Sequence, residues 1–281
     1  MPDARRARLI EGAELAERLA DPHLAVLEVA RDDDDAPFRE AHIPGSRWAF
    51  WKRLLWHETD RQFPDPATLA QRLGALGVAS DTTLVLSGDP IQFGTYAFWV
   101  MQMCGHRDLL LLDGGRAAWL AAGLPVESGP VAEPHAEHTP GVVDEAARAG
   151  RDDVLAAVRR GDRVLVDLRS PEEYRGDRVA PYAAPFDHGA ERKGHIPGAR
   201  HLHYQRLLHE DGSFRSLDEL RAAFADVDIE SGDDVITYCR LSHRGTLGWF
   251  VLSELLGHDR VQVYDGSWTE WGSIVGVPVE R

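Results

Sequence analysis

The chain has 281 residues, 43% hydrophobic and 27% charged, which leaves apolar surface for two cores of about 120 to 150 residues each and sets disorder aside. Lys and Arg total 31 against 46 Asp and Glu, a formal charge of -15, so nucleic acid and anionic membranes are repelled overall and an anionic ligand needs a local basic site. Two cysteines, Cys104 and Cys239, are too few for a disulfide framework and lack the CxxC spacing of structural zinc, so a reducing, cytoplasmic setting is expected.

Residues 1–9 carry three arginines and lead into a mixed amphipathic run over 11–19, not the continuous apolar stretch of a signal peptide. No segment reaches the roughly 20 apolar residues that span a bilayer. Residues 25–29, 84–87 and 109–112 read as buried strands. Asp32 to Asp35 read as a solvated loop, not a cation site. The apolar run 96–103 ends at Cys104 with Gly105 as a helix stop, so Cys104 reads as a structural core residue. Residues 127–141, rich in Pro, Gly, Glu and His without an apolar period, read as a linker. Beyond it, strands are expected at 164–168, 235–238 and 261–264, and helices at 152–160, 217–225 and 245–256, the last stopped by Gly257. This alternation predicts an α/β fold with a parallel sheet flanked by helices on both faces, where ligands gather at the carboxyl ends of strands.

Self-comparison gives the domain plan. His42-Ile43-Pro44-Gly45 returns as His195-Ile196-Pro197-Gly198, Leu112-Asp113-Gly114 as Tyr264-Asp265-Gly266, and Trp119 as Trp271, at an offset near 152 residues. The expectation is a non-catalytic domain over 1–126, a linker over 127–143 and a catalytic domain over 144–281. Residues 178–193 have no counterpart in the first copy and are expected to cap a cleft or touch the other domain.

Cys239 follows the strand 235–238 and precedes Arg240, Leu241, Ser242, His243, Arg244 and Gly245, which lead into a helix. A loop curling into a helix N-terminus turns amide N–H groups inward, and with Arg240, Arg244 and His243 nearby it favours the thiolate of Cys239. The matching place in the first copy is Ser87-Gly88-Asp89, without sulfur, so the second copy alone is expected to be catalytic.

These motifs together, in order and in both copies, resemble the two-domain rhodaneses over nearly the whole chain. The resemblance implies a catalytic cysteine after the fourth strand of the C-terminal domain, an inactive N-terminal copy, and HIPG motifs near a substrate cleft. It implies transfer of sulfane sulfur from thiosulfate to a thiophilic acceptor through a Cys239 persulfide. The fold-related phosphatases have five residues between cysteine and arginine, whereas four separate Cys239 from Arg244, a loop suited to a sulfur atom. Arg240 beside the nucleophile is similar to thiosulfate enzymes, not to the CGSG loop of mercaptopyruvate enzymes. The loop departs from the usual CRKG, which keeps 3-mercaptopyruvate as the alternative donor.

Asp167 and Arg169 resemble the family's DxR segment, with donor contact and a structural ion pair as equal readings. Arg175 and Arg178 are candidate donor cations, although the family's arginine position before an aromatic holds Glu173 here, and Trp268 is a candidate pocket wall. His188, His195, His201, His203 and His209 lack ligand spacing, so no metal or cofactor is expected. The expected partners are a small anionic sulfur donor and a thiol, cyanide or protein acceptor. A persulfide carrier or sensor and a regulatory scaffold are the other classes weighed.

Overall fold

The computed structural model describes residues 8–131, 135–181 and 189–281. In the first copy the order is β1 (Leu9–Ile10), α1 (Gly12–Arg18), β2 (Leu24–Ala30), α2 (Ala36–Glu40), β3 (Arg47–Phe50), α3 (Trp51–Leu55), α4 (Pro66–Ala75), β4 (Thr83–Asp89), α5 (Ile91–Met103), β5 (Leu109–Leu112) and α6 (Gly115–Ala121). The second copy runs β6 (Arg148–Ala149), α7 (Arg151–Arg160), β7 (Val164–Asp167), α8 (Pro171–Arg175), β8 (Arg200–His201), α9 (Leu217–Ala225), β9 (Val235–Tyr238), α10 (His243–Phe250), β10 (Val261–Tyr264) and α11 (Ser267–Trp271). The chain divides into two compact units, Met1–Glu145 with Glu210–Phe214, and Ala146–His209 with Arg215–Arg281.

Each unit holds a five-stranded sheet with every neighbour parallel, in the orders β1-β5-β4-β2-β3 and β6-β10-β9-β7-β8. The orders are one permutation, as expected of two copies of one domain. Six of the seven residues of β2 and all four of β9 are buried, the mark of strands covered on both faces. The first core gathers Ile10, Leu15, Val26, Val85, Leu112 and Trp119; the second gathers Ile236, Tyr238, Tyr264, Trp268 and Trp271.

Local signals set the helix ends. Ser216 and Glu219 close a capping box at α9, Ser170 and Glu173 another at α8, and Gly161 ends α7 at φ +65. The helix expected to begin at Gly245 starts two residues earlier, at His243, and continues after Phe250 into a π-helical turn, Val251–Leu255. That turn has a cause in the repeat. Leu84 pairs with Leu109 and Val235 with Val261, so the offset between copies is 151 residues at the central strand and 152 one strand later. The second copy therefore holds one more residue between these strands, and a π turn takes up such an extra residue.

The HIPG motifs act as latches. His195 pairs by backbone with Glu280, its ring stacks on Tyr174 at 3.8 Å, and Gly198 N–H donates to Glu280 Oε2 at 3.0 Å. His42 repeats this with Glu127, Phe38 at 4.3 Å and a Gly45 N–H bond of 3.1 Å. Each motif thus ties the end of its own copy to the loop ahead of the third or eighth strand.

Candidate active site

The candidate site is the turn from β9 into α10. Cys239 lies directly beyond β9, at 1% exposure, and α10 begins four residues later. The turn is held from beneath by α11 and the strand before it. Ser267 Oγ accepts the N–H groups of Cys239 at 3.3 Å and Ser242 at 3.2 Å and donates to the Tyr264 carbonyl at 2.9 Å. The Trp268 N–H donates to the Cys239 carbonyl at 2.9 Å, and Thr269 donates to the Arg240 carbonyl through N–H at 3.0 Å and Oγ1 at 2.7 Å. On the other side, Thr237 Oγ1 donates to the Gly245 carbonyl at 2.9 Å, tying the strand to the helix. The first-turn amides of α10 have no acceptors within the helix, which leaves the turn electropositive.

Ser242, where the CRKG loop has glycine, has a backbone in the region that favours glycine, φ +73. A non-glycine residue in that region is strained. Two hydrogen bonds offset the strain: Ser242 Oγ to the Asp265 carbonyl at 2.5 Å and to Asp265 Oδ1 at 3.1 Å. Asp265 in turn pairs with Arg148 at 3.1 Å. Ser267, φ +52, matches Gly115, φ +59, of the first copy.

The expected site residues separate into two groups. Arg240 and Leu241 are partly exposed at the turn, while Ser242, His243 and Gly245 are buried in it. Arg244, an expected site residue, pairs with Glu173, Nη1 to Oε2 at 2.7 Å and Nη2 to Oε1 at 3.0 Å. Glu173 has no exposed surface. Burial disfavours its charge, but the Arg244 hydrogen bonds and attraction outweigh burial and hold the carboxyl below its usual range. Glu173 reached this position by an unremarkable route, as the last member of the α8 capping box, so the sequence gives little sign of its second partner.

Asp167 and Arg169 are both fully buried and paired at 2.6 Å, with Arg169 also bonded to the Gly194 carbonyl at 2.7 Å and lying 4.4 Å from the Trp268 ring centre. Burial opposes the Asp167 charge, and Arg169 outweighs it, holding the carboxyl below its ordinary range. Asp167 and Trp268 have no exposed surface. Arg175 is 57% exposed and pairs with Asp177 at 3.1 Å, and Arg178 Nη2 donates to the Pro181 carbonyl at 2.6 Å, so neither is brought to Cys239 by these bonds.

His195 Nδ1 faces the Tyr174 carbonyl at 2.9 Å and His201 Nε2 the Arg169 carbonyl at 2.8 Å. Among the described residues no three His, Cys, Asp or Glu side chains gather as a metal site, and His188 lies outside those residues. So do residues 182–188 of the 178–193 segment. No helix of the described residues is long and apolar enough to cross a membrane.

Sequence reasoning missed Ser267, Asp265 and Glu173 as partners of the turn. The run Tyr264 to Trp268 was a signal for the first two, since a strand next to β9 in the sheet must end beside the cysteine. Cys104 caps α5 and is buried; burial, then Glu145 and Asp65, push its thiol up to about 11, away from reactivity.

Comparison with known proteins follows this geometry. The rhodanese-like domain model matches residues 11–122 and again 151–274. The chain is 41% identical over 269 residues to "Sulfur carrier protein TtuD" of Thermus thermophilus, covering 94% of this chain and 93% of the relative. It is 39% identical over 277 residues to "Putative thiosulfate sulfurtransferase" of Mycobacterium tuberculosis H37Rv, covering 98% of each. Among solved structures, YnjE superposes with a TM-score of 0.81 at 26% identity, covering 98% of this chain and 69% of that one. Wild-type EanB superposes with a TM-score of 0.85 at 23% identity over the same shares.

Proposed function

The chain belongs to the rhodanese-like family and is a sulfurtransferase of that family; from this premise we propose that it moves the sulfane sulfur of thiosulfate to a thiophilic acceptor through a persulfide on Cys239. The observation that carries the reading is the seat of Cys239 at the end of a buried parallel strand, on a turn fastened by Ser267 and leading into α10. In the first step the Cys239 thiolate attacks the outer sulfur of thiosulfate. A new S–S bond forms to the enzyme as the donor's S–S bond breaks, and sulfite leaves with the electron pair. The α10 amides and the helix dipole hold the charge on the terminal sulfur. An acceptor nucleophile then takes that sulfur; cyanide leaves as thiocyanate and Cys239 returns as thiolate. Thiols and protein sulfur acceptors fit the same step, and a reducing, cytoplasmic compartment suits a free thiol in this role.

Arg240 supports thiosulfate as donor over 3-mercaptopyruvate, since a dianion gains more from a guanidinium than a monoanion does. A second reading, a carrier that releases persulfide sulfur only to a docked protein, is favoured by the likeness to the Thermus sulfur carrier. Mass spectrometry after thiosulfate treatment tests the shared step: one added sulfur on wild type and on Cys104→Ala, none on Cys239→Ala. Sustained thiocyanate formation with cyanide then supports the enzyme, and a single turnover supports the carrier. A persulfide that survives Cys239→Ala, or none in wild type, ends the proposal.

A further inference from the structure

Two cations stand in the cysteine turn, Arg240 and Arg244, but their surroundings differ. Arg244 is 9% exposed and meets both oxygens of Glu173, while its guanidinium carbon lies 5.9 Å from the Tyr204 ring centre. Glu173 Oε2 also accepts the Ser170 N–H at 3.1 Å, so the carboxylate is anchored to its own helix start and cannot swing away with the arginine. An arginine that closes a cysteine loop and keeps its charge for a ligand would grip a tetrahedral dianion with two N–H groups. Here the two prongs are turned to a buried carboxylate.

We propose that Glu173 is a specificity-determining positioning residue: by holding Arg244 in a buried two-pronged pair, it cancels that charge and denies the Cys239 turn the two-pronged grip by which phosphate or arsenate would be held as a whole tetrahedron. Thiosulfate, also a tetrahedral dianion, loses that grip too, and its outer sulfur is met by Arg240 and the turn amides. This rests on Cys239 being the reacting thiol, as proposed above. It gives a second reason, based on charge and independent of loop length, for a cysteine–arginine turn in this chain to handle sulfur and not phosphoryl groups.

The test reads anion binding without requiring turnover. Inorganic phosphate is titrated as a protectant against alkylation of Cys239 by iodoacetamide, followed by mass spectrometry. In Glu173→Gln, which keeps the capping box but frees the Arg244 charge, phosphate protects at a concentration about tenfold lower than in wild type. The KM for thiosulfate falls while kcat stays within about threefold, a split that loss of packing does not produce. In the double variant Glu173→Gln/Arg244→Gln, where both charges are gone, phosphate protection and the thiosulfate KM return to within about threefold of wild type. Equal protection in wild type and a folded Glu173→Gln overturns the proposal. If Glu173→Gln does not fold, as a stranded buried charge can cause, the double variant decides alone. A tenfold rise in its thiosulfate KM or protecting phosphate concentration means that Arg244 meets the anion directly and the proposal is wrong. A wild type that alkylates normally but takes no sulfur from thiosulfate defeats the functional reading instead, leaving the phosphate comparison intact.

Discussion

At the scale of single residues, the proposed chemistry turns on the two cations of the Cys239 turn. Arg240 follows the cysteine directly and is partly exposed, and Arg244 is committed to Glu173 at 2.7 Å and 3.0 Å. Arg240→Gly is therefore expected to raise the thiosulfate KM about tenfold and the 3-mercaptopyruvate KM by threefold or less, as loss of one charge-assisted contact to a dianion implies. Steady-state assays of both donors with cyanide check this, and equal losses would remove the basis for preferring thiosulfate. Cys239 was legible in the sequence because a cysteine between a strand and a cationic turn is an unusual setting. Glu173 was not, because the partner of Arg244 lies 71 residues away and its position in a capping box already accounts for it. Asp167 and Arg169 were legible as a pair from their spacing, but sequence spacing carries no burial, so their place deep in the core was not.

Among elements, the two copies solve one packing problem with different residues. The strand registers make Gly88 the counterpart of Cys239 and Glu28 the counterpart of Asp167. In the second copy Asp167 is met by Arg169 from its own strand end; in the first, Glu28 is met by Arg116 at 3.1 Å, from the helix position where the second copy has Trp268. A buried carboxyl–arginine contact persists while the arginine changes its place in the chain. The same register places Gly88 where little room is left for a side chain. A Cβ on Gly88 would stand 2.4 Å from the Gly94 nitrogen and 2.7 Å from the Ile91 carbonyl oxygen, because α5 packs straight onto the strand end. Gly88→Cys, introduced in a Cys239→Ala background, is expected to take no sulfur from thiosulfate and to cost about 1–3 kcal/mol by overpacking. Persulfide on residue 88 with an unchanged melting temperature would contradict that account. Strand and helix existence was legible from apolar period and caps, and helix 217–225 was read to the residue. The early start of α10 was not, because a turn with φ +73 at Ser242 is held by bonds from Asp265, on a different element.

For the molecule as a whole, the tandem plan came from the repeat, and the sheet order of both copies follows from it. Stability across pH, by contrast, depends on how deeply individual charges lie. Glu28 is 1% exposed, and burial, partly opposed by Arg116 and reinforced by Asp89, pushes its carboxyl up to about 8. The folded state thus keeps a proton that the unfolded chain gives up near 4.5, so stability falls as pH rises from about 4.5 to about 8 and the loss is constant above that. Glu28→Gln, which cannot ionise, is expected to match wild type near pH 5 and to melt on the order of 10 °C higher near pH 8.5. Thermal unfolding at both pH values checks this; parallel shifts at the two would show that Glu28 does not titrate in that window. The wide turn at Val251–Leu255 has its own consequence. A spare residue in a regular helix would swing everything after it by roughly 100° about the axis. Here the surplus is absorbed between the tip that bears the thiol and the base that rests on the sheet, so the lineage of this copy could drift in length without disturbing its chemistry.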